Sequence, residues 1–159
     1  MSTTPSRLAS QMKNIPRKLQ ENKDQIEIPG LDRLLGSILT RVFTNGIATD
    51  GLVITSKVAK NQVGVYGKQQ GNKRAKAGKN TGRMNLSFSS GLRNNIKRGK
   101  TGEDNSLGFL LDKYRVIMDG HESYRKKLIV QPTEQEMEDA IEVNIQAGLN
   151  VIKKCLSGG

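Results

Sequence analysis

The chain has 159 residues, 35% of them hydrophobic and 4% aromatic, with no Trp and a formal net charge of +11 at pH 7. That length supports one ordinary domain, and so polar a composition argues against a second independent core. A single cysteine, Cys155, leaves no intrachain disulfide and makes a reducing, cytoplasm-like compartment the default; no apolar run approaches the roughly 18 residues of a membrane span, and Met1 to Lys13 lacks the apolar centre of a signal peptide.

Residues 1–30 read as a polar N-terminal extension. Pro5 and Pro16 divide it into short helical pieces, Arg7 to Asn14 and Arg17 to Lys23, and Pro29-Gly30 closes it. A single domain over 31–156 follows. It opens with a helix whose Leu31, Leu34, Leu35, Ile38, Leu39 and Val42 form one apolar stripe, with Asp32 in its first turn and Arg41 in its last. Asn45-Gly46 stops that helix.

Leu52 to Ile54 and the pair Val63, Val65 are strand-like. Residues 66–83 are Gly-rich, basic and nearly free of apolar side chains, which predicts an exposed arm. Met84, Leu86 and Phe88 then alternate with polar residues, the period of a half-buried strand. Ser90 is placed to cap a short helical turn carrying Leu92 and Ile96. Lys97 to Ser106 reads as a second exposed loop. Leu107 to Leu111 and Arg115 to Met118 are predicted strands, with Asp119-Gly120 as a turn signal. Leu128 to Val130 is a short apolar run ending before Pro132.

The last element carries the strongest signal. Thr133 and Glu136 have the spacing of a capping box. Behind them Met137, Ala140, Ile141, Ile145, Leu149, Ile152 and Leu156 fall on a helical stripe. Acids crowd its start (Glu134, Glu136, Glu138, Asp139), and Lys153-Lys154 stands at its end, as the helix dipole favours. Burying five or six such side chains contributes on the order of 10 kcal/mol before entropy is subtracted. The expected fold is therefore α+β: a small antiparallel sheet against an N-terminal helix and a long C-terminal helix, with long basic loops.

Little in the sequence points to catalysis. One His and one Cys do not make a metal cluster. His121 follows a turn signal and is expected in a solvated loop; Cys155, beside the apolar stripe, is expected as a small buried hydrophobe. Gly99-Lys100-Thr101 has the end of a phosphate-binding loop, but Asn94 stands where the first Gly belongs and no helix opens at Thr101. The acidic start of the last helix is explained by capping. The expectation is a non-enzyme with no cofactor and no metal.

The charge is more informative. Between Gly51 and Gly102 there are twelve Lys and Arg and no Asp or Glu. The twelve are Lys57, Lys60, Lys68, Lys73, Arg74, Lys76, Lys79, Arg83, Arg93, Lys97, Arg98 and Lys100. Localised charge speaks of a partner, whereas spread charge mostly concerns solubility. Phosphate contact on flexible loops is one reading. Docking against an acidic protein neighbour is the other. A merely solvated loop would mix signs. Only Tyr66 and Phe88 accompany the charges, which disfavours recognition by base stacking. The candidate contact residues are Lys68, Lys73, Arg74, Lys76, Lys79 and Arg83.

The order of these pieces resembles a known family. A striped helix is followed by Ala48-Thr49-Asp50-Gly51, then Gly64-Val65-Tyr66-Gly67-Lys68, a basic stretch from Lys73 to Lys79, and Ser90-Gly91-Leu92-Arg93-Asn94-Asn95-Ile96. The chain closes with a Thr-capped, Glu-rich helix. This is similar to the tail-completion, or virion-morphogenesis, proteins of tailed bacteriophages, small neck proteins of the head–tail junction. Their signature is a hydroxyl residue, Gly, Leu, a basic residue and a closing Ser-Ile. Here Ser90 stands for the usual Thr and Asn95 for the usual Ser, and Ser90, Gly91, Leu92, Arg93 and Ile96 take structural roles.

The resemblance covers roughly residues 31 to 153, and around Tyr114 to Leu128 no family pattern appears. It implies a homo-oligomeric ring of six copies contacting other phage neck and tail proteins. It also implies a place in the virion after assembly in the host cytoplasm, with non-specific contact to DNA in the channel. Composition alone points instead to a small nucleic-acid-binding protein of the nucleoid or ribosome.

Overall fold

The computed structural model describes residues 5–55, 62–84, 86 and 91–157. Lys57, Lys60, Phe88 and Ser90, with the strand and cap expected of the last two, lie outside the described residues. The fold is α+β and 65% helical. Two helices, α1 (Pro5–Glu21) and α2 (Lys23–Leu39), lead into a π-helical turn over Thr40–Asn45. Next come β1 (Gln62–Val63), β2 (Tyr66–Gly67), α3 (Lys68–Lys76) and the single turn α4 (Gly91–Asn94). Then follow β3 (Ile96–Thr101), β4 (Asp104–Phe109), α5 (Asp112–Arg125) and the long α6 (Glu134–Ser157). In place of one sheet there are, among the described residues, two antiparallel pairs, β1 with β2 and β3 with β4.

The scaffold is α2 laid against α6. Leu34 and Ile38 of α2 and Ala140 of α6 are buried in the core, which continues through Val42, Phe43, Ile54, Ile96, Met118 and Ile129. The expected stop at Pro29-Gly30 is overturned, because α2 runs through both residues. The reason is a close helix–helix approach. A Cβ on Gly30 would stand 2.5 Å from the Ala140 carbonyl oxygen, so only Gly fits there. The Gly30 N–H donates to Asn144 Oδ1 at 2.9 Å. Asn45-Gly46 does end the first helical unit, with Gly46 left-handed at φ 69°.

Arg41 knits four segments together. Its Nε and Nη2 grip the two carboxylate oxygens of Glu136 at 2.9 and 3.2 Å, and its remaining N–H groups donate to the carbonyls of Ile47, Ile129 and Gln131. Both side chains are nearly enclosed, 12% and 11% exposed. The expected capping box is present: Thr133 Oγ1 accepts from the Glu136 N–H, and Glu136 Oε2 accepts from the Thr133 N–H. The same carboxylate therefore caps α6 and anchors the end of the N-terminal helical unit.

Several local expectations are corrected. Residues 7–23 do not form two pieces; α1 continues through Pro16 and buries no side chain. Lys97 to Ser106 is a hairpin, not a loop: Thr101 pairs with Asp104 across Gly102-Glu103, and Gly102 takes φ 64° as tight turns require. Arg115 to Met118 is helical, and Asp119-Gly120 lies inside α5. Tyr114, Met118 and Arg125 recur at helical spacing, which brings buried Met118 and partly buried Tyr114 into the core. Met84 and Leu86 belong to no strand.

The largest correction concerns α6. Its apolar stripe does not bury as a unit. Ala140 is inside, but Met137, Ile141, Ile145 and Leu149 are 41–55% exposed. The face that packs on α2 is instead built from Glu136, Ala140 and Asn144, residues that suit a close approach and a hydrogen bond rather than bulk.

Candidate interaction surface

Residues 62–83 of the acid-free window fold into a small module, and the sequence reads 66–83 of it as an arm. β1 and β2 are joined through Gly64, at φ 62°, and an added Cβ there would fall 1.9 Å from the Thr81 carbonyl oxygen. That carbonyl accepts from the Val65 N–H at 2.9 Å. α3 packs back on β1 and β2, with Gly71 so close to Val63 that a Cβ would stand 2.5 Å from the Val63 Cβ. Two glycines thus permit backbone contacts that substitute for a core the segment cannot supply.

Arg74 closes the module and is not the exposed contact residue expected of it. It is 2% exposed. Its guanidinium lies 4.5 Å from the centre of the Tyr66 ring, and its Nε donates to the Asn80 carbonyl at 3.0 Å. Tyr66, itself buried, donates its hydroxyl to the Arg83 carbonyl at 3.0 Å. A cation stacked on a ring and sheltered from water contributes about 2 kcal/mol. One of the twelve basic residues is therefore a structural pin.

The others divide by neighbour. Arg98 reaches both carboxylate oxygens of Asp32 at 2.8 Å, and Lys100 reaches Asp24 at 2.8 Å. Asn105 donates to Asp24 and Glu27, while Lys23 pairs with Asp104 at 2.7 Å. The β3–β4 hairpin is thereby zipped to α2, and the hydrogen bonds from Lys100 and Asn105 hold the Asp24 carboxyl below its usual range. Lys68, Lys73 and Lys76 on α3, with Arg83, Arg93 and Lys97, are exposed and make no ion pair among the described residues. Lys79 is exposed near the end of α3, its N–H bonded to the Arg74 carbonyl.

The described residues of the Ser90–Ile96 stretch divide between core and surface. Gly91 begins α4, where a Cβ would stand 2.8 Å from the Tyr114 hydroxyl oxygen; Leu92 and Ile96 are buried and Arg93 is exposed.

The sequence reading missed the anchor of this module. His121 lies in α5, half-buried, and not in a solvated loop. Arg125 Nη1 lies 2.9 Å from His121 Nδ1. A guanidinium has no acceptor, so the imidazole must be neutral at Nδ1 to receive this bond. Burial, then the Arg125 charge, pushes the His121 pKa down. Arg125 Nη2 also reaches Met84 Sδ at 3.0 Å, where the module rejoins the core. Nearby, Glu122 Oε1 accepts from the N–H groups of Ile129 and Val130. Cys155 is partly buried, its thiol 3.7 Å from the Gln11 carbonyl.

Other surfaces are apolar. Leu110, Leu111, Val116, Ile117 and Tyr124 on and before α5 are exposed, as are four residues of the α6 stripe. Among the described residues no group of three or more His, Cys, Asp or Glu is arranged to hold a metal, and no helix is long and apolar enough to cross a membrane. No family model, curated protein or solved structure matches this chain.

Proposed function

We propose that the chain is a structural subunit of a tailed-bacteriophage neck, a tail-completion protein that docks the tail to the head–tail connector, and not an enzyme. The observation that carries this reading is the bare apolar helix surface on α5 and α6. Isolated exposed apolar residues are ordinary, but sets of them along two helices of a small subunit mark surfaces that other protein covers. The resemblance of residues 31–153 to tail-completion proteins supplies the setting. The unneutralised cations of α3 supply a second contact surface, facing an acidic neighbour or DNA in the channel. In this reading the subunit works as a homo-oligomeric ring of six copies in the virion, assembled in the host cytoplasm beside other neck and tail proteins.

Electron microscopy and mass measurement of the purified chain test this. Closed rings, alone or with co-expressed neck proteins, are the expected result. The other reading, a nucleoid- or ribosome-type binder, is favoured specifically by the α3 cations. A soluble monomer or dimer that binds duplex DNA or RNA, with affinity falling steeply between about 50 and 200 mM salt, and that forms no ring would replace the neck reading.

A further inference from the structure

The exposed ribbon of α6 has a charge pattern that selects its occupant. Met137, Ile141, Ile145 and Leu149 recur every four residues, so at about 100° per residue they drift only about 40° per step and form one continuous strip. All four are substantially exposed, between 41 and 55%. One rim of the strip carries Glu138 and Glu142 in its first half and Lys153 near its end, all exposed and within about 60° of one another around the helix. None of the three is ion-paired among the described residues; the ion pairs of α6 are Arg33–Asp139 and Arg41–Glu136. The helix is thus apolar along its middle, negative at one end of the rim and positive at the other.

A surface with that polarity is complementary to itself turned end for end. We propose that α6 pairs antiparallel with α6 of a second copy, about a two-fold axis passing near Ile145. That axis sets Ile141 against Leu149 of the second copy. A two-fold perpendicular to both helices keeps the same rim on the same side, so Glu138 meets Lys153 of the second copy at both ends. No like charges oppose each other at the centre, where Gln146 borders Ile145. The dipoles of antiparallel helices also oppose favourably. The contact is isologous, unlike the heterologous contact that closes a ring, so it stands independently of the neck reading.

Cysteine cross-linking of the full chain in a Cys155→Ser background tests the register. Ile145→Cys should form a disulfide-linked dimer with itself. Ile141→Cys should cross-link efficiently only when mixed with Leu149→Cys. In mass measurements Ile145→Glu should weaken association at least a hundredfold while circular dichroism stays unchanged, because the side chain is exposed. Glu138→Lys should weaken association about tenfold, and adding Lys153→Glu in the same chain should restore it. Three outcomes overturn the pairing: a parent chain monomeric at every concentration, association indifferent to Ile145→Glu, or oligomers in which Ile145→Cys does not link to itself. The last is what docking of α6 on the apolar face of α5 would give. A dimer that enters no ring leaves this inference standing and counts only against the neck reading.

Discussion

The β1–β2–α3 module and the β3 strand of the hairpin come from the same acid-free window and look alike as sequence, yet their charges have different fates. The hairpin lies against α2, whose Asp24, Glu27 and Asp32 receive Arg98, Lys100 and Asn105. α3 packs on its own two short strands, and its Lys68, Lys73 and Lys76 make no ion pair among the described residues, so they remain available. Whether a basic residue addresses a partner is decided by what the fold sets opposite it. Pairing with an internal acid lowers the net positive charge that a cation presents outward.

The strongest test of this contrast separates Arg74 from its neighbours. Arg74→Ala should lower unfolding stability by about 3–5 kcal/mol, since it removes a buried side chain, a cation–ring contact and a hydrogen bond. Chemical denaturation measures it. Lys73→Ala with Lys76→Ala should stay within about 0.5 kcal/mol of the parent while reducing binding to a polyanion or a partner. Equal loss of stability in both variants would erase the distinction between pin and contact. Gly64→Ala comes next. Its left-handed backbone and the contact with the Thr81 carbonyl should cost about 1–3 kcal/mol, read as a lower melting temperature with the hairpin amides still protected from hydrogen exchange.

The hairpin is probed by removing its acids. Asp24→Asn with Asp32→Asn should free Lys100 and Arg98 and leave the fold intact. Binding to duplex DNA should then gain salt dependence, with the slope of log affinity against log salt steeper by about 1.8, or 0.9 per freed cation. An unchanged slope would mean that those cations were never masked. The smallest effect is titration at His121. Its folded pKa lies below the unfolded value of about 6.5, so the unfolded chain binds the extra proton first. Stability from this group is present above that pH and declines as pH falls below it. His121→Gln should flatten that part of the pH–stability profile, and the loosening at low pH should appear around Met84 rather than in the hairpin.

Much of the chain was legible because local chemistry and global need agree there. The Thr133–Glu136 box, the Asn45-Gly46 stop and the buried Leu34, Ile38 and Leu92 are read from spacing and found in place, whereas Ile96, though buried, opens β3 and does not share a helical turn with Leu92. Errors gathered where a distant contact decides the outcome. Pro29-Gly30 reads as a break, but Asn144, 114 residues away, receives the Gly30 N–H. Arg115 to Met118 reads as strand from its apolar run, although the core-facing spacing of Tyr114 and Met118 is helical. Glu136 reads as a cap, and nothing local announces that Arg41 holds it from the other side. The α6 stripe reads as core, so a charge at Leu149 would be expected to abolish folding; with Leu149 41% exposed, the structure withdraws that expectation.

Local sequence determined where α6 starts and where the first helical unit stops, which third of the chain carries the charge excess, and that the fold mixes helices with short antiparallel strands. Those properties depend on caps, turn residues and composition, which act within a few positions of themselves. Only the tertiary structure decided which cations remain outward, that Arg74 is a pin, and that the best apolar stripe in the chain faces solvent. Burial and charge pairing are properties of what lies opposite a side chain. α2 and α6 meet at a close-packed seam, Gly30 of α2 against Ala140 and Asn144 of α6, and that choice turns the larger side chains of α6 outward.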